Sequence, residues 1–129
     1  MQFLKIETTG LPTTKARGDA AEDEALAYLQ AQGLRLLQRN YRTPGRGGGE
    51  IDLIMQSADG TVVFVEVRKR SRSDHGGAAA SIGYAKQRRI IFAAQHYLLS
   101  WRRLPPMRFD VVTLESVGPQ WLQAAFDGA

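Results

Sequence analysis

Apolar residues recur along this chain at two spacings, and each spacing predicts one type of element. Ala21, Ala25 and Leu29 recur at every fourth position, which is typical of the buried face of a helix. We therefore expect a helix over about residues 15–32. It follows an arm, residues 1–12, that shows no clear period and is expected to be flexible.

The middle of the chain changes to short apolar runs that are bounded by turn residues, which is the pattern of strands. Strands are predicted over residues 34–41, 49–54, 62–68 and 109–114. A second long helix is predicted over residues 82–101, because apolar residues again recur there at helical spacing. The expected buried residues of this helix are Ile90, Ala94, Tyr97, Leu98 and Trp101.

The predicted elements suit one domain over residues 13–129. Their order, a helix, several strands, a helix and a strand, predicts an α/β fold with a mixed sheet flanked by helices. The glycine-rich residues 43–49 and 71–80 are predicted loops. The tail, residues 121–126, is apolar enough to dock on the core as a strand or a turn.

Three carboxylates interrupt the apolar strands, Glu50 and Asp52 in one and Glu66 in the next. A buried carboxylate is costly without a partner, and carboxylates on neighbouring strands repel each other unless a cation lies between them. A divalent metal ion is the simplest such cation, so the pattern indicates a metal-dependent enzyme. The residues leave one alternative open, in which Glu50 and Asp52 lie at a solvated edge and Glu66 pairs with a base.

Whether the carboxylates meet depends on the register of the two acidic strands. A loop of odd length, such as residues 57–61, places Asp52 directly opposite Glu66, with Cβ atoms about 5 Å apart. A two-residue turn instead places Asp52 opposite Val67 and brings Lys69 to the face of Asp52.

We favour the odd loop because it separates apolar from charged side chains. It gathers the apolar residues of both strands on one side: Ile51, Leu53, Met55, Val63, Val65 and Val67. It places Asp52, Glu66 and Arg68 together on the other side. Two carboxylates at that spacing suit one Mg²⁺ ion, which binds oxygen at about 2.1 Å.

Seventeen basic residues face thirteen acidic ones, and the basic residues fall in clusters. The formal charge is +4 and the isoelectric point is near 9.8. Such clusters are expected of a surface that binds nucleic acid, although solvated faces that aid solubility have the same composition. The candidate nucleic-acid-binding residues are Arg42, Arg46, Lys69, Arg70, Arg72, Arg88 and Arg89.

Several functional classes are disfavoured by what the sequence lacks. It contains no cysteine, which excludes disulfides and thiolate chemistry. It has no apolar run of the ~20 residues that a membrane-spanning helix needs, and no apolar signal region at the N-terminus. We therefore expect a cytoplasmic protein with no membrane partner and no small-molecule cofactor. His75 and His96 lack metal-binding spacing.

The spacing of Asp52, Glu66 and Arg68 resembles the pattern of PD-(D/E)xK nucleases, in which an acidic residue on one strand precedes Glu-x-Lys on the next. The chain resembles the YraN family of bacterial proteins more closely. That family is grouped with archaeal Holliday junction resolvases and tRNA-endonuclease-like folds. The matching stretches include residues 49–54, 64–68, 86–89 and 108–112. The resemblance implies a restriction-endonuclease-like fold with an αβββαβ core.

By this resemblance Asp52 and Glu66 are metal ligands for Mg²⁺ or Mn²⁺, with the main-chain carbonyl of Val67 as a third. Glu22 stands at the position of an additional acidic residue in resolvase-like members. Its helical spacing supports an inward position, but an exposed carboxylate near the helix start is an equal alternative. Glu50 is either a ligand of a second metal ion, an outer-shell group or a solvated residue at the strand end.

Arg68 departs from the family pattern, which usually has lysine there. An arginine can hold a phosphate through two hydrogen bonds, but its pKa, above about 12, prevents it from acting as a base. Lys86 lies one turn before Ile90 on the buried stripe of the second helix, so we expect it to project toward the sheet and replace that lysine. Gln87 beside it is a second candidate for positioning water.

The leading hypothesis is a Mg²⁺-dependent endonuclease that hydrolyses phosphodiesters of DNA, including branched or structured DNA. One alternative is a nucleic-acid-binding protein of the same fold that has lost cleavage, which Arg68 would permit. Another is an adaptor whose basic face binds an acidic protein. Resolvases act as dimers, so the resemblance also implies a homodimer.

Overall fold

Five strands form one sheet, and a helix packs on each of its faces. The computed structural model describes residues 14–70 and 82–128. Its elements are α1 (Thr14–Ala31), β1 (Arg35–Arg42), β2 (Glu50–Gln56), β3 (Val62–Lys69), α2 (Tyr84–Tyr97), β4 (Met107–Glu115) and β5 (Gly118–Phe126). The predicted arm, residues 1–12, and the predicted loop, residues 71–80, lie outside the described residues.

The strands lie in the sheet in chain order, from β1 at one edge to β5 at the other. Every neighbouring pair is antiparallel except β3 and β4, which are parallel. Two parallel neighbours need a crossover connection, and α2 lies within that connection. The predicted α/β architecture with a mixed sheet and flanking helices is therefore confirmed.

Each face of the sheet carries its own apolar core. On one face Leu29 of α1 packs with Leu53 and Val65 of the central strands. On the other face α2 packs on Ile54 and Phe64. The two central strands contribute to both cores because successive side chains point to opposite faces of a sheet. The sheet therefore separates the two helices, and each helix packs on its own apolar core.

The predicted helices are present, with small differences at their ends. Gly33, which follows α1, has a φ of +99°, the left-handed conformation that glycine adopts at helix ends. The α2 helix begins at Tyr84 rather than residue 82, and a single 3-10 turn, Leu98–Ser100, extends it. Within the described ranges no helix is long and apolar enough to cross a membrane.

The predicted register of the acidic strands is confirmed over most of their length. The connection between β2 and β3 is the odd loop of residues 57–61, and Leu53 pairs with Val65. The prediction was wrong for Ile51, which packs in the α2 core and not with Leu53. The β2–β3 ladder ends at Leu53. Beyond that point β2 is not paired with β3, so the pairing no longer fixes which face of the sheet its side chains point to.

The tail forms a full strand, β5, which is longer than the predicted segment of residues 121–126. A bulge in β5 is centred on Ala124, whose φ is +52°. The fully buried carboxylate of Asp110 holds this bulge. It accepts hydrogen bonds from the main-chain N–H of Ala124 at 2.8 Å and from Nε1 of Trp121 at 2.9 Å.

Arg108 completes the environment of Asp110. Its guanidinium donates two hydrogen bonds to the carboxylate, each 2.9 Å long, in a bidentate pair. The same guanidinium lies over the ring of Trp121, 5.9 Å from its centroid. Asp110 thus accepts hydrogen bonds from Arg108, from Trp121 and from the N–H of Ala124. Because the last two belong to β5, these bonds hold β5 to β4.

We expect Asp110→Ala to lower the free energy of unfolding by about 3 kcal/mol, because removing one partner of a buried pair leaves the other unpaired. The loss should be visible as a lower midpoint in urea-induced unfolding. Glu24→Ala is the matched control, since Glu24 is an exposed carboxylate on α1. A change for Asp110→Ala as small as that of the control would contradict the role assigned to this carboxylate.

Candidate functional site

The two central strands separate at one end and leave a notch between them. Their ladder ends at the pair Leu53 and Val65. Beyond this pair, β2 stays with β1 as far as Glu50, and β3 stays with β4 as far as Lys69. The carboxylates that line the notch are Glu22, Glu50, Asp52 and Glu66. The cations that line it are Arg68, Lys69 and Lys86.

Asp52 and Glu66 meet at the point where the strands separate, as the odd loop predicts. A continued ladder would pair Val67 with Ile51, but the N–H of Val67 donates to Oδ2 of Asp52 at 2.8 Å. Glu66 lies close enough to Asp52 for its negative charge to raise the pKa of Asp52, and both side chains line the notch. The side chain of Glu66 is only 5% exposed. The solvated-edge alternative therefore does not hold for Asp52, but its other part is confirmed, because Glu66 pairs with Lys86 and with Arg68.

Burial and, to a smaller extent, the negative charge of Glu66 together raise the pKa of Asp52 to about 7. The N–H of Val67 and the charge of Lys86 act in the opposite direction. Burial and the neighbouring carboxylate thus both disfavour the charged form of Asp52. Such a site favours either a proton or an added cation.

Lys86 is the cation closest to the carboxylate pair. Its Nζ lies 2.9 Å from Oε2 of Glu66, whereas Nη1 of Arg68 lies 3.8 Å from the same oxygen. Lys86 comes from α2, and Glu66 lies on the face of the sheet that α2 covers, so the helix brings the ammonium group to the strand. Its projection toward the sheet agrees with the sequence prediction.

Glu22 points inward from α1, which decides between its two predicted positions. Nε of Arg39 lies 3.3 Å from Oε1 of Glu22, and the side chain of Glu22 is 13% exposed. Burial raises the pKa of Glu22, and the charge of Asp52 raises it further. Glu22 therefore adds a third negative group on the α1 side of the notch.

Glu50 lies at the outer end of the notch and is about half exposed. Its Oε2 lies 3.5 Å from Nη2 of Arg42 on the neighbouring strand. This position agrees with the prediction of a solvated residue at the strand end. Lys69 is exposed and lines the notch, although the favoured register placed it on the face away from Asp52. Because the strands separate there, the notch is open to both faces.

Two candidate residues make contacts that differ from their predicted roles. Nη1 of Arg70 lies 3.7 Å from Oε2 of Glu115, and this arginine is largely buried, which disfavours a nucleic-acid contact. The side-chain amide of Gln87 donates to the carbonyl of Ile82 at 3.0 Å, and Gln87 does not line the notch.

The remaining basic candidates lie on the surface. Arg46 is exposed in the loop between β1 and β2, and Arg88 and Arg89 are exposed on α2. Arg72 lies outside the described residues. Of the exposed arginines, Arg42 and Arg89 line a depression that shares Glu50 and Lys86 with the notch.

Sequence reasoning missed Arg39 as a part of this site. Besides Glu22, it contacts Oδ1 of Asp23 at 2.7 Å and the carbonyl of Asp19 at 3.1 Å. It thereby ties β1 to α1 beside the notch. No local signal marks this role, because its partners lie about 20 residues earlier in the chain and meet it only in the folded protein.

The carboxylates of the notch do not by themselves form a closed metal cage. In the part of the chain that the structure describes, no group of three histidine, cysteine, aspartate or glutamate side chains converges as metal ligands. The closest set is Asp52 and Glu66, beside the main chain of Val67.

These features define an α/β protein in which a buried carboxylate, Glu66, a partly buried one, Asp52, and a lysine meet where two strands of the sheet separate. Residues 21–114 match the model of a family described as "Uncharacterised protein family UPF0102". The chain belongs to this family, as its resemblance to YraN proteins predicts. The matched range contains Glu22, Asp52, Glu66 and Lys86, and it ends before β5.

Several relatives carry the printed name "UPF0102 protein". One from Albidiferax ferrireducens is 70% identical, over 92% of this chain and 93% of its own length. Another from Acidovorax sp. (strain JS42) is 66% identical over the full length of both chains. A third from Cupriavidus taiwanensis is 58% identical, over 95% of this chain and 91% of its own.

The raised pKa of Asp52 predicts how stability changes with pH. Because this pKa is higher in the folded chain than the ordinary value of 3.8, the folded chain binds the proton more tightly. The free energy of unfolding should therefore fall as the pH rises from 3.8 to about 7. Asp52→Asn cannot ionise, so at pH 8 its free energy of unfolding should exceed that of wild type by about 4 kcal/mol, and this excess should be much smaller at pH 5.

Urea-induced unfolding at pH 5 and at pH 8 measures this effect. Asp59→Asn is the control, because hydrogen bonds from Ser57 and Thr61 lower the pKa of Asp59 to about 2, outside this range. Its change in unfolding free energy should be the same at both values of pH. If the free energy of unfolding depended on pH in the same way for wild type and Asp52→Asn, the pKa of Asp52 would not be raised in the folded chain.

Proposed function

We propose that this chain is a metal-dependent nuclease of the PD-(D/E)xK type, with a restriction-endonuclease-like fold. The observation that carries the proposal is the meeting of Asp52, Glu66 and Lys86 where β2 and β3 separate. The order of α1, β1, β2, β3, α2 and β4 agrees with the αβββαβ core that this class implies.

The notch fits a Mg²⁺ or Mn²⁺ ion by the chemistry of its donors. Asp52 and Glu66 offer hard carboxylate oxygens, and the pKa of Asp52 is raised first by burial and then by the negative charge of Glu66, which a bound cation would offset. Mg²⁺ commonly uses only one or two carboxylates and completes its shell with water and substrate phosphate, so a third acidic side chain is not required. Asp52, Glu66 and the carbonyl of Val67 would hold the ion.

When bound, the ion would polarise the phosphate and lower the pKa of a water molecule. The residues of the chain supply the rest. Lys86 can neutralise charge on Glu66 or on a substrate phosphate and can orient a water molecule. Arg68 can hold a phosphate oxygen through its guanidinium but cannot take up a proton. Glu22, held by Arg39, adds an acceptor on the opposite side.

The charge distribution supports nucleic acid as the substrate. Arg42 and Arg89, which line a depression beside the notch, and the exposed Arg46 and Arg88 would contact the phosphate backbone without reading the base sequence. We propose DNA, including branched or structured DNA, because the family resemblance points to resolvases.

A nucleic-acid-binding protein without cleavage is a second candidate. Arg68 favours it, because the usual lysine of the Glu-x-Lys pattern is missing from β3. Lys86 argues against it, because an ammonium group is present 2.9 Å from Glu66 although it comes from another element. The two candidates differ in whether the metal-loaded chain cleaves nucleic acid.

We expect Mg²⁺ or Mn²⁺ to support cleavage of at least one member of a panel of duplex, single-stranded, flapped and branched DNAs. Asp52→Ala and Glu66→Ala should each lower the rate at least about 100-fold, since even loss of an outer-shell partner of a metal ligand costs about 10–100-fold. Glu24→Gln, on the exposed side of α1, should cleave like wild type.

Calorimetric titration with Mn²⁺ tests the metal site without activity. Wild type and Glu24→Gln should bind the ion, and Asp52→Ala should not. Equal heats for wild type and Asp52→Ala would refute the metal site. Metal binding and DNA binding without cleavage of any substrate would favour the second candidate.

Substitutions of the two cations test which of them replaces the missing lysine. Lys86→Ala should lower kcat about 100-fold, as expected for loss of a group that positions or protonates a reactant. Arg68→Lys should change kcat much less, because Lys86 already lies nearer to Glu66. Urea-induced unfolding of each variant separates a loss of folding from a loss of catalysis. A strong gain of activity in Arg68→Lys, together with normal rates in Lys86→Ala, would reverse the assignment.

A further inference from the structure

A second depression adjoins the notch, between α2 and the loop of residues 43–49. Arg42, Lys86 and Arg89 line it, together with Glu50 and the glycines of the loop. Glu50 and Lys86 also line the notch, so the two depressions are continuous. We name the second one the glycine groove.

The loop that forms the glycine groove is more closely packed than its glycine content predicts. The buried hydroxyl of Thr43 accepts a hydrogen bond from the N–H of Gly49 at 2.8 Å, and the N–H of Thr43 donates to the carbonyl of Gly49 at 3.0 Å. A Cβ atom on Gly49 would lie 2.0 Å from the carbonyl oxygen of Arg89. The wall of the groove is thus built in contact with α2.

The groove has the chemistry of a site for one phosphate group. Arg42, Lys86 and Arg89 give it three positive charges; Glu50 lies beside Arg42 and Glu66 of the notch pairs with Lys86, so the groove keeps a net positive charge. The ion pair between Arg42 and Glu50 is long, 3.5 Å, and largely solvated, so it costs little to redirect the guanidinium. The lack of side chains at Gly45 and Gly47 lets a ligand approach the main chain closely.

We propose that the glycine groove binds the phosphate next to the one that is cleaved, on the same strand of a nucleic acid. This proposal rests on the proposed nuclease function, because it takes the notch as the place of the reacting phosphate. Lys86 stands between the two depressions, and consecutive phosphates of one strand would lie on its two sides. The groove therefore sets which segment of the strand enters the notch.

The first test measures DNA affinity by fluorescence anisotropy, using the full chain with Asp52→Asn so that the DNA is not cut. Adding Arg89→Gln or Arg42→Gln should weaken binding of a single-stranded oligonucleotide about tenfold at low salt, as for loss of a hydrogen bond to a charged group. Each should reduce the slope of log affinity against log salt by about 0.7, the value for one phosphate.

Arg35→Gln is the matched control, because Arg35 lies at the opposite end of β1 from Arg42 and is also exposed. It removes the same charge and should leave both the affinity and the salt slope nearly unchanged. An equal loss in Arg35→Gln and Arg89→Gln would mean that only overall charge matters, which would overturn the groove.

The second test replaces single phosphates of the oligonucleotide with neutral methylphosphonates, one position at a time. In the Asp52→Asn chain, one position beside the cleaved linkage should lose about tenfold in affinity. In the chain that also carries Arg89→Gln, that position should lose nothing further, because the partner is already absent. Losses that simply add would overturn the proposal.

The outcomes also separate the groove from the function on which it rests. If wild type cleaves DNA but Arg89→Gln and Arg35→Gln bind the oligonucleotide with the same affinity, the groove proposal fails and the proposed nuclease function stands. If wild type neither cleaves nor binds nucleic acid at low salt, both fail. Binding of an acidic peptide with the same dependence on Arg89, in place of DNA, would likewise overturn the assignment and favour a protein partner.

Discussion

The site depends on one hydrogen bond, from the N–H of Val67 to the carboxylate of Asp52. In a regular antiparallel pair, that N–H would face the main chain of Ile51 across the ladder. The side chain of Asp52 takes the place of a main-chain acceptor, so the strands can separate without leaving a buried donor unsatisfied. The same substitution holds the carboxylate inside the sheet, where burial raises its pKa. The separation of β2 from β3 and the raised pKa of Asp52 are therefore linked through this one hydrogen bond.

The charges around the notch connect elements that are far apart in the chain. Lys86 brings α2 to Glu66, and Arg39 brings β1 to Glu22 of α1, so each face of the sheet contributes one cation and one carboxylate. Each ion pair is partly shielded from water, and each also leaves its carboxylate beside Asp52. The repulsion between these carboxylates and Asp52 lowers the stability of the folded chain. A cation bound between them would reduce that repulsion.

Most of the fold follows from local patterns, and the site follows from two of them. The length of the 57–61 loop sets the register that brings Asp52 to Glu66, and the helical spacing of Lys86 from Ile90 directs it to the sheet. The face of Ile51 was predicted wrongly, because strict alternation assumes a continuous ladder. The contacts of Arg39 and Asp110 were not predictable, since their partners meet only in the assembled sheet.

The position of Lys86 bears on how the proposed nuclease function would tolerate a changed Glu-x-Lys pattern. Under that proposal the carboxylate pair uses a cation beside it, and either the strand or the helix can supply that cation. An ammonium on α2 reaches Glu66 from the face of the sheet, while Arg68 remains at the strand, 3.8 Å away. Once the helix supplies the ammonium, the strand position is free to carry a guanidinium, which suits a phosphate better than a proton. Under the proposed nuclease function, the departure at Arg68 divides two tasks between two residues and does not remove one of them.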